Sequence, residues 1–219
     1  MPERHYLRRF SLTERALHWI HASAFFVLLG SGLVLYLPKL SELVSRRQLV
    51  KAIHIDTAIA WGAALVLIVL LGDRRGLLRT VKEIDSFDAD DRRWLRGQRA
   101  PQGRFNAGQK LNVVLTAAFA LLFAISGFFL WYGERDTRFR FASTLLVHDG
   151  LMYLSLIVLV GHLYLAIINP KTRHSLRGIT VGTVDERWAR EHHAKWVEHD
   201  EAARTTNNSS TVTTTALSE

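Results

Sequence analysis

The chain of 219 residues contains no cysteine, and only two methionines, Met1 and Met152. Without thiols there are no disulfides, no iron–sulfur ligation, no thiolate-bound haem and no covalent haem attachment through a CxxCH motif. With methionine nearly absent too, a redox metal held by this chain must rely on histidine, of which there are ten. The chain also lacks a small-residue cleavage site after its first apolar stretch, which is too long for a cleavable signal peptide. No basic patch interleaved with aromatics sits on a soluble domain, so the net charge of +8 does not point to nucleic acid.

Four apolar windows are present, at about 15–37, 49–72, 111–133 and 145–168. Each has the roughly 20 residues that a helix needs to cross a bilayer. The expected fold class is therefore all-α: an integral membrane four-helix bundle, one membrane domain over 1–198, with a polar tail at 199–219. That tail ends in TTNNSSTVTTTALSE, whose composition predicts disorder.

Basic residues are distributed unevenly. The N-terminal segment (Arg4, Arg8, Arg9, Arg15), the 73–110 connection and the segment after Ile168 hold 21 of them, against 7 in the two short connections. The positive-inside rule then predicts that both termini are cytoplasmic. The 73–110 connection is too long to be bare. Leu77, Leu78, Val81 and Ile84 recur at helical spacing and predict an interfacial helix, and Asp88, Asp90 and Asp91 offer caps for a second one before Trp94.

Five histidines fall inside the apolar windows: His18, His21, His54, His148 and His162. An unsatisfied imidazole in hydrocarbon costs several kcal/mol. With the helices threaded as above, His54 and His148 share the outer level, and His18 and His162 the inner one. Fourteen residues separate the two levels by about 21 Å, and the helix turns back to nearly the same face. That pattern matches two stacked centres, each held by two imidazoles from different helices, with haem b as the natural occupant. A single intramembrane histidine more often bonds a neighbouring helix or lines a proton path; four that pair by depth favour ligation. His21 lies three residues after His18 on nearly the same face, so spacing alone leaves it open as an alternative ligand or a donor to a propionate or quinone. Asp56 and Asp149 beside the outer histidines read either as interfacial solvation or as receivers of basic groups from a docked partner.

At these residues the sequence resembles the cytochrome b (gamma) subunit of membrane-bound respiratory formate dehydrogenases, within the di-haem cytochrome b561 and hydrogenase cytochrome b group. The resemblance spans residues 8 to about 196. It is carried by RFSLTERALHW ending at Trp19 and followed by Ser31-Gly32, by FNAGQKL at 105–111, and by the closing stretch from Ser175 through RWAREHHAKW to Trp196. It implies two haem b groups, the inner on His18 and His162, the outer on His54 and His148, and leaves His21 a non-ligand. It also implies a quinone site, for menaquinone or ubiquinone, at Asn106, Gly108 and Gln109 with His162. It places the chain in the bacterial inner membrane as part of a formate:quinone oxidoreductase. The partners implied are an iron–sulfur (beta) subunit and a molybdenum or tungsten catalytic (alpha) subunit outside. Electrons would pass inward to quinone reduced on the cytoplasmic side.

Other readings are the cytochrome b subunit of a nickel–iron hydrogenase, a haem-free membrane anchor and a histidine-lined proton or ion carrier. Asn106 reads equally as a helix cap. His192–His193 suggests zinc, but adjacent side chains diverge on a helix, and packing against the membrane domain is the better expectation. Gly30, Gly32 and Gly127 permit either close helix approach or room for a porphyrin face. Arg8, Arg9 and Arg15 lie where inner-haem propionates would emerge.

Overall fold

The structure, a computed structural model, describes residues 5–216, with side chains as far as 205. Arg4 of the basic N-terminal segment, and residues 217–219, lie outside it. In chain order it contains β1 (Tyr6–Arg8), α1 (Leu12–Tyr36), α2 (Pro38–Val44), α3 (Arg47–Leu71), α4 (Arg74–Asp85), α5 (Ala89–Leu95), α6 (Ala107–Tyr132), α7 (Ala142–Leu163), α8 (Leu176–Val181), β2 (Thr183–Asp185), α9 (Glu186–His192) and α10 (Ala194–Ala216). A π-helical turn, Tyr164–Ile168, prolongs α7. The chain is an all-α membrane bundle: α1, α3, α6 and α7 with its extension are each long and apolar enough to cross a membrane.

All four spans begin two to four residues before the apolar windows, and at α1 and α6 a side-chain cap sets the start. Ser11 Oγ accepts from Glu14 N (3.2 Å) while Glu14 Oε2 accepts from Ser11 N (2.7 Å), and α1 starts at Leu12. Asn106 and Gln109 make the same reciprocal pair at the start of α6, at 2.8 and 3.1 Å. Each closes two of the orphan groups at a helix N-terminus. The expected interfacial helix is α4, and Asp88 caps the second, α5, through the N–H groups of Asp90 and Asp91.

The four long helices form two hairpins. α1 packs chiefly on α3 and α6 on α7, while direct packing between the hairpins is sparse. Most of their apolar side chains face outward, as at Leu121, Ile157 and Val66.

The three basic segments meet at one end of the bundle, hereafter the basic end. There β1 pairs antiparallel with β2, Leu7 opposite Val184, and this ribbon joins Trp188, Ala189 and Val197 in a small buried core. Strands were not expected, because three-residue runs give no periodicity to read. Gly182, at φ +94°, turns the chain from α8 into β2 and accepts from Arg9 N at 2.8 Å. A Cβ there would stand 3.1 Å from the Phe10 carbonyl, so the position calls for glycine twice over. Arg104 ties this cap to the membrane helices. Its guanidinium donates to Glu14 Oε1 (2.8 Å), Glu83 Oε2 (2.7 Å), Thr80 Oγ1 (2.6 Å) and the Arg9 carbonyl (2.9 Å).

The backbone is helical through α10 to Ala216. Near its start Val197 is buried and Arg190 pairs with Glu201.

At the mouth of α6, Lys110 Nζ donates to Asp91 Oδ2 (2.7 Å) and to the Ser86 carbonyl (2.7 Å), with both charged side chains nearly enclosed. Lys110→Met is expected to cost about 3–5 kcal/mol, because Asp91 is left buried without its counter-charge. The measurement is the midpoint of thermal unfolding in detergent, followed by tryptophan fluorescence. The double change Lys110→Met with Asp91→Leu should recover most of the loss, and an unchanged midpoint in the single variant would contradict the assignment.

Candidate functional site

Two histidine pairs bridge the seam between the hairpins. His18 of α1 faces His162 of α7 with ring centres 6.3 Å apart and planes at 52°. His54 of α3 faces His148, also of α7, at 6.3 Å and 66°. No hydrogen bond joins the rings of either pair among the described residues. α7 runs unbroken from Ala142 to Leu163 and carries one member of each pair, so the two sites lie at different depths about 21 Å apart along it.

The equal spacing is informative. A separation of 6.3 Å leaves room between the two rings for one metal ion that both would hold. A direct ring-to-ring hydrogen bond, the ordinary use of histidine between helices, is absent. Two imidazoles with no third histidine, cysteine or carboxylate grouped with them as a metal ligand among the described residues are the donor set of a bis-histidine haem, and the residues fit that group.

The surroundings of the two pairs differ. Ser31 Oγ lies 2.8 Å from His54 Nδ1, and Ser126 Oγ lies 2.8 Å from His148 Nδ1. Each serine is followed by glycine, and a Cβ at Gly32 or Gly127 would come within 3.5 Å of His54 Cε1 or 3.6 Å of His148 Cε1. Gly30 has open space around it. His21 joins neither pair; its ring sits 5.6 Å from that of Trp61 and 6.2 Å from that of Phe25. Asp56 is exposed and Asp149 half-buried.

The remaining sequence candidates gather at the basic end. The Oδ1 of Asn106 and the Oε1 of Gln109 are engaged in the α6 cap. Gln109 Oε1 also accepts from Arg9 Nη2 at 3.0 Å. The close approach that Gly108 allows is taken by the Trp94 ring, whose Cη2 would lie 3.0 Å from a Cβ there. Arg9 is buried between the rings of Phe10 and Trp188 and donates to the Arg104 carbonyl (2.7 Å) and to His193 Nε2 (3.1 Å). Arg15 Nη2 donates to the Thr180 carbonyl at 2.6 Å, and Trp19 Nε1 to Ile179 O at 3.0 Å. His193 Nδ1 donates to the Gly103 carbonyl at 2.7 Å, and His192 stacks on Trp188 at 5.0 Å. The HH motif is thus a docking element that holds the C-terminal cap onto the membrane domain. Sequence reasoning missed Ser31 and Ser126 as partners of the outer histidines. Their signal was the repeated Ser-Gly step in two apolar helices.

Two imidazole pairs stacked through a membrane bundle fit a b-type membrane cytochrome. The chain belongs to the family described as prokaryotic cytochrome b561, whose model matches residues 9–182. It is thus a multi-pass, haem b-binding membrane subunit of electron transfer. Among curated proteins it is 24% identical to the formate dehydrogenase cytochrome b556 subunit of Haemophilus influenzae, over 85% of this chain and 80% of that one. It is 24% identical to the formate dehydrogenase cytochrome b556(fdo) subunit of Escherichia coli K12, covering 90% and 94%. Against the nitrate-inducible cytochrome b556(Fdn) subunit of the same strain the identity is 23%, covering 89% and 92%.

Burial, and then the charge of Arg9, hold the His193 ring at about 3, below its ordinary 6.5; His192 adds to this and the Gly103 carbonyl opposes it. Above pH 6.5 the ring is neutral whether the cap is docked or not. As pH falls below 6.5 the undocked ring takes up a proton that the docked ring refuses until about 3, so docking weakens across that window. Amide hydrogen exchange of residues 183–197 in proteoliposomes should show protection that is flat above pH 6.5 and declines below it. Protection that stays flat down to pH 4 would refute the role given to His193.

Proposed function

We propose that this chain is the di-haem b subunit of a formate:quinone oxidoreductase. It would carry electrons from a periplasmic iron–sulfur subunit, fed by a molybdenum or tungsten catalytic subunit, to quinone reduced on the cytoplasmic side. The observation that carries the reading is the pair of 6.3 Å imidazole spacings at two depths. The formate dehydrogenase names of its relatives support the choice of donor. The basic end is assigned to the cytoplasm by its excess of Lys and Arg. With that orientation His54 and His148 hold the outer haem and His18 and His162 the inner one.

When bound, haem b supplies reversible one-electron carriage at each level. The protein's own work is to fix four imidazoles, to exclude water from the seam and to offer a quinone mouth beside the inner pair. At that mouth the α6 cap occupies the side-chain oxygens of Asn106 and Gln109, which leaves their amide N–H groups as donors to a quinone carbonyl. Gly108 contributes by seating Trp94 there. Negative charge moving inward works against the membrane potential, at about 2.3 kcal/mol per electron per 100 mV. The fall in potential from formate to quinone must exceed that sum for two electrons.

Purified membranes are expected to contain two haem b per chain by the pyridine haemochrome assay. His54→Ala and His148→Ala should lose one and the same haem, His18→Ala and His162→Ala the other, and His21→Ala neither. A correctly inserted but colourless chain would overturn the proposal. Copurification of a nickel–iron subunit in place of a molybdenum or tungsten one would move the donor to a hydrogenase.

A further inference from the structure

Building on the di-haem reading, we propose that Ser31 and Ser126 are positioning residues for the outer haem: they lock His54 and His148 as Nδ1–H tautomers and lower the midpoint potential of that centre relative to the inner one. A serine hydroxyl has a single proton. In Ser31 it is directed to the Val27 carbonyl at 2.7 Å, one helical turn back, and in Ser126 to the Leu122 carbonyl at 2.7 Å. Each oxygen is therefore left as an acceptor, and the group 2.8 Å away is Nδ1 of the histidine. With the hydroxyl proton shared between those carbonyls and the next ones along (Leu28 at 3.2 Å, Phe123 at 3.3 Å), the arrangement favours the ring proton on Nδ1, and for His54 the Leu28 carbonyl is a further backbone partner, so that Nε2 keeps its lone pair for metal.

A hydrogen bond from the distal N–H of a ligating imidazole makes the ring a stronger donor, and the oxidised iron gains more from this than the reduced iron. Both serines are buried, at 9% and 4% exposure, so water does not compete for the bond. The same construction appears once in each hairpin: serine on one helix, glycine next to it, histidine on the other helix. At the inner level it is missing. Among the described residues neither His18 nor His162 has a hydrogen-bond partner. The two centres are thus built unequally, with the outer one poised to give up its electron toward the inner one.

The test is potentiometric titration of both haems in membranes carrying the full complex, with wild type, Ser31→Ala, Ser126→Ala and the double variant. The component absent from His54→Ala identifies the outer haem. The outer midpoint should rise in each single variant and further in the double one. A tenfold shift in electron partition between the haems, about 59 mV for one electron, is the expected order. The inner midpoint should not move. Threonine can make the same two bonds from a helix, so Ser31→Thr and Ser126→Thr should restore the wild-type potential. If alanine releases the outer haem alone and threonine retains it at the wild-type potential, the proposal also stands. Unshifted potentials with both haems present, equal shifts in both haems, or threonine variants that titrate like alanine would overturn it. Fewer than two haems in the wild-type chain would instead overturn the di-haem reading on which it rests.

Discussion

A polar ring placed in hydrocarbon must find a partner, and this constraint organises the molecule. Five imidazoles sit within the long helices, and four of them face one another in pairs across the seam between two hairpins. Helix packing follows from it. Each hairpin is closed within itself, and the hairpins are kept far enough apart for both ring pairs to stand at the same separation. In lipid there is no hydrophobic force drawing helices together, so specific polar pairs and close contacts decide how they associate. Here the two ring pairs sit at two heights on α7 with no hydrogen bond between their rings, and α7 is the helix common to both.

Outside the membrane a different set of forces applies. The small core of Leu7, Val184, Trp188, Ala189 and Val197 is too small to hold an independent domain. Its stability is borrowed from the membrane helices through Arg104, which reaches α1 at Glu14 and α4 at Glu83, and through Arg9, clasped between Phe10 and Trp188. Lys195 adds a tie from α10 to the acidic cap of α5 at Asp88 and Asp90. The arginines that hydropathy places near the inner centre are therefore largely engaged in holding the cap.

The membrane spans and the histidine levels were legible in the sequence because both are one-dimensional. Window length gives the spans, and spacing along α7 gives depth and face. The interfacial helix and its acidic successor followed from apolar period and capping residues in the same way. The β1–β2 ribbon was not legible, since it joins residues nearly the whole chain apart through runs too short to show alternation. Side-chain roles at the α6 mouth were legible only as alternatives. Asn106 and Gln109 suit a cap and a carbonyl donor equally, and packing of Trp94 against Gly108 requires the fold to be known. The role of the serines beside His54 and His148 was not legible, though Ser31-Gly32 was part of the resemblance, because only the register between helices brings each hydroxyl to a ring.

The antiparallel pairing of residues 6–8 with 183–185 also dictates an order of events during synthesis. The first strand leaves the ribosome before any transmembrane helix exists, yet its complement arrives only after the fourth has been made. Until then Leu7 has no burial and Arg9 no Trp188 to lie against. The cap consequently closes only over a chain whose four spans have all been threaded, and a polypeptide stalled partway leaves its beginning unpaired.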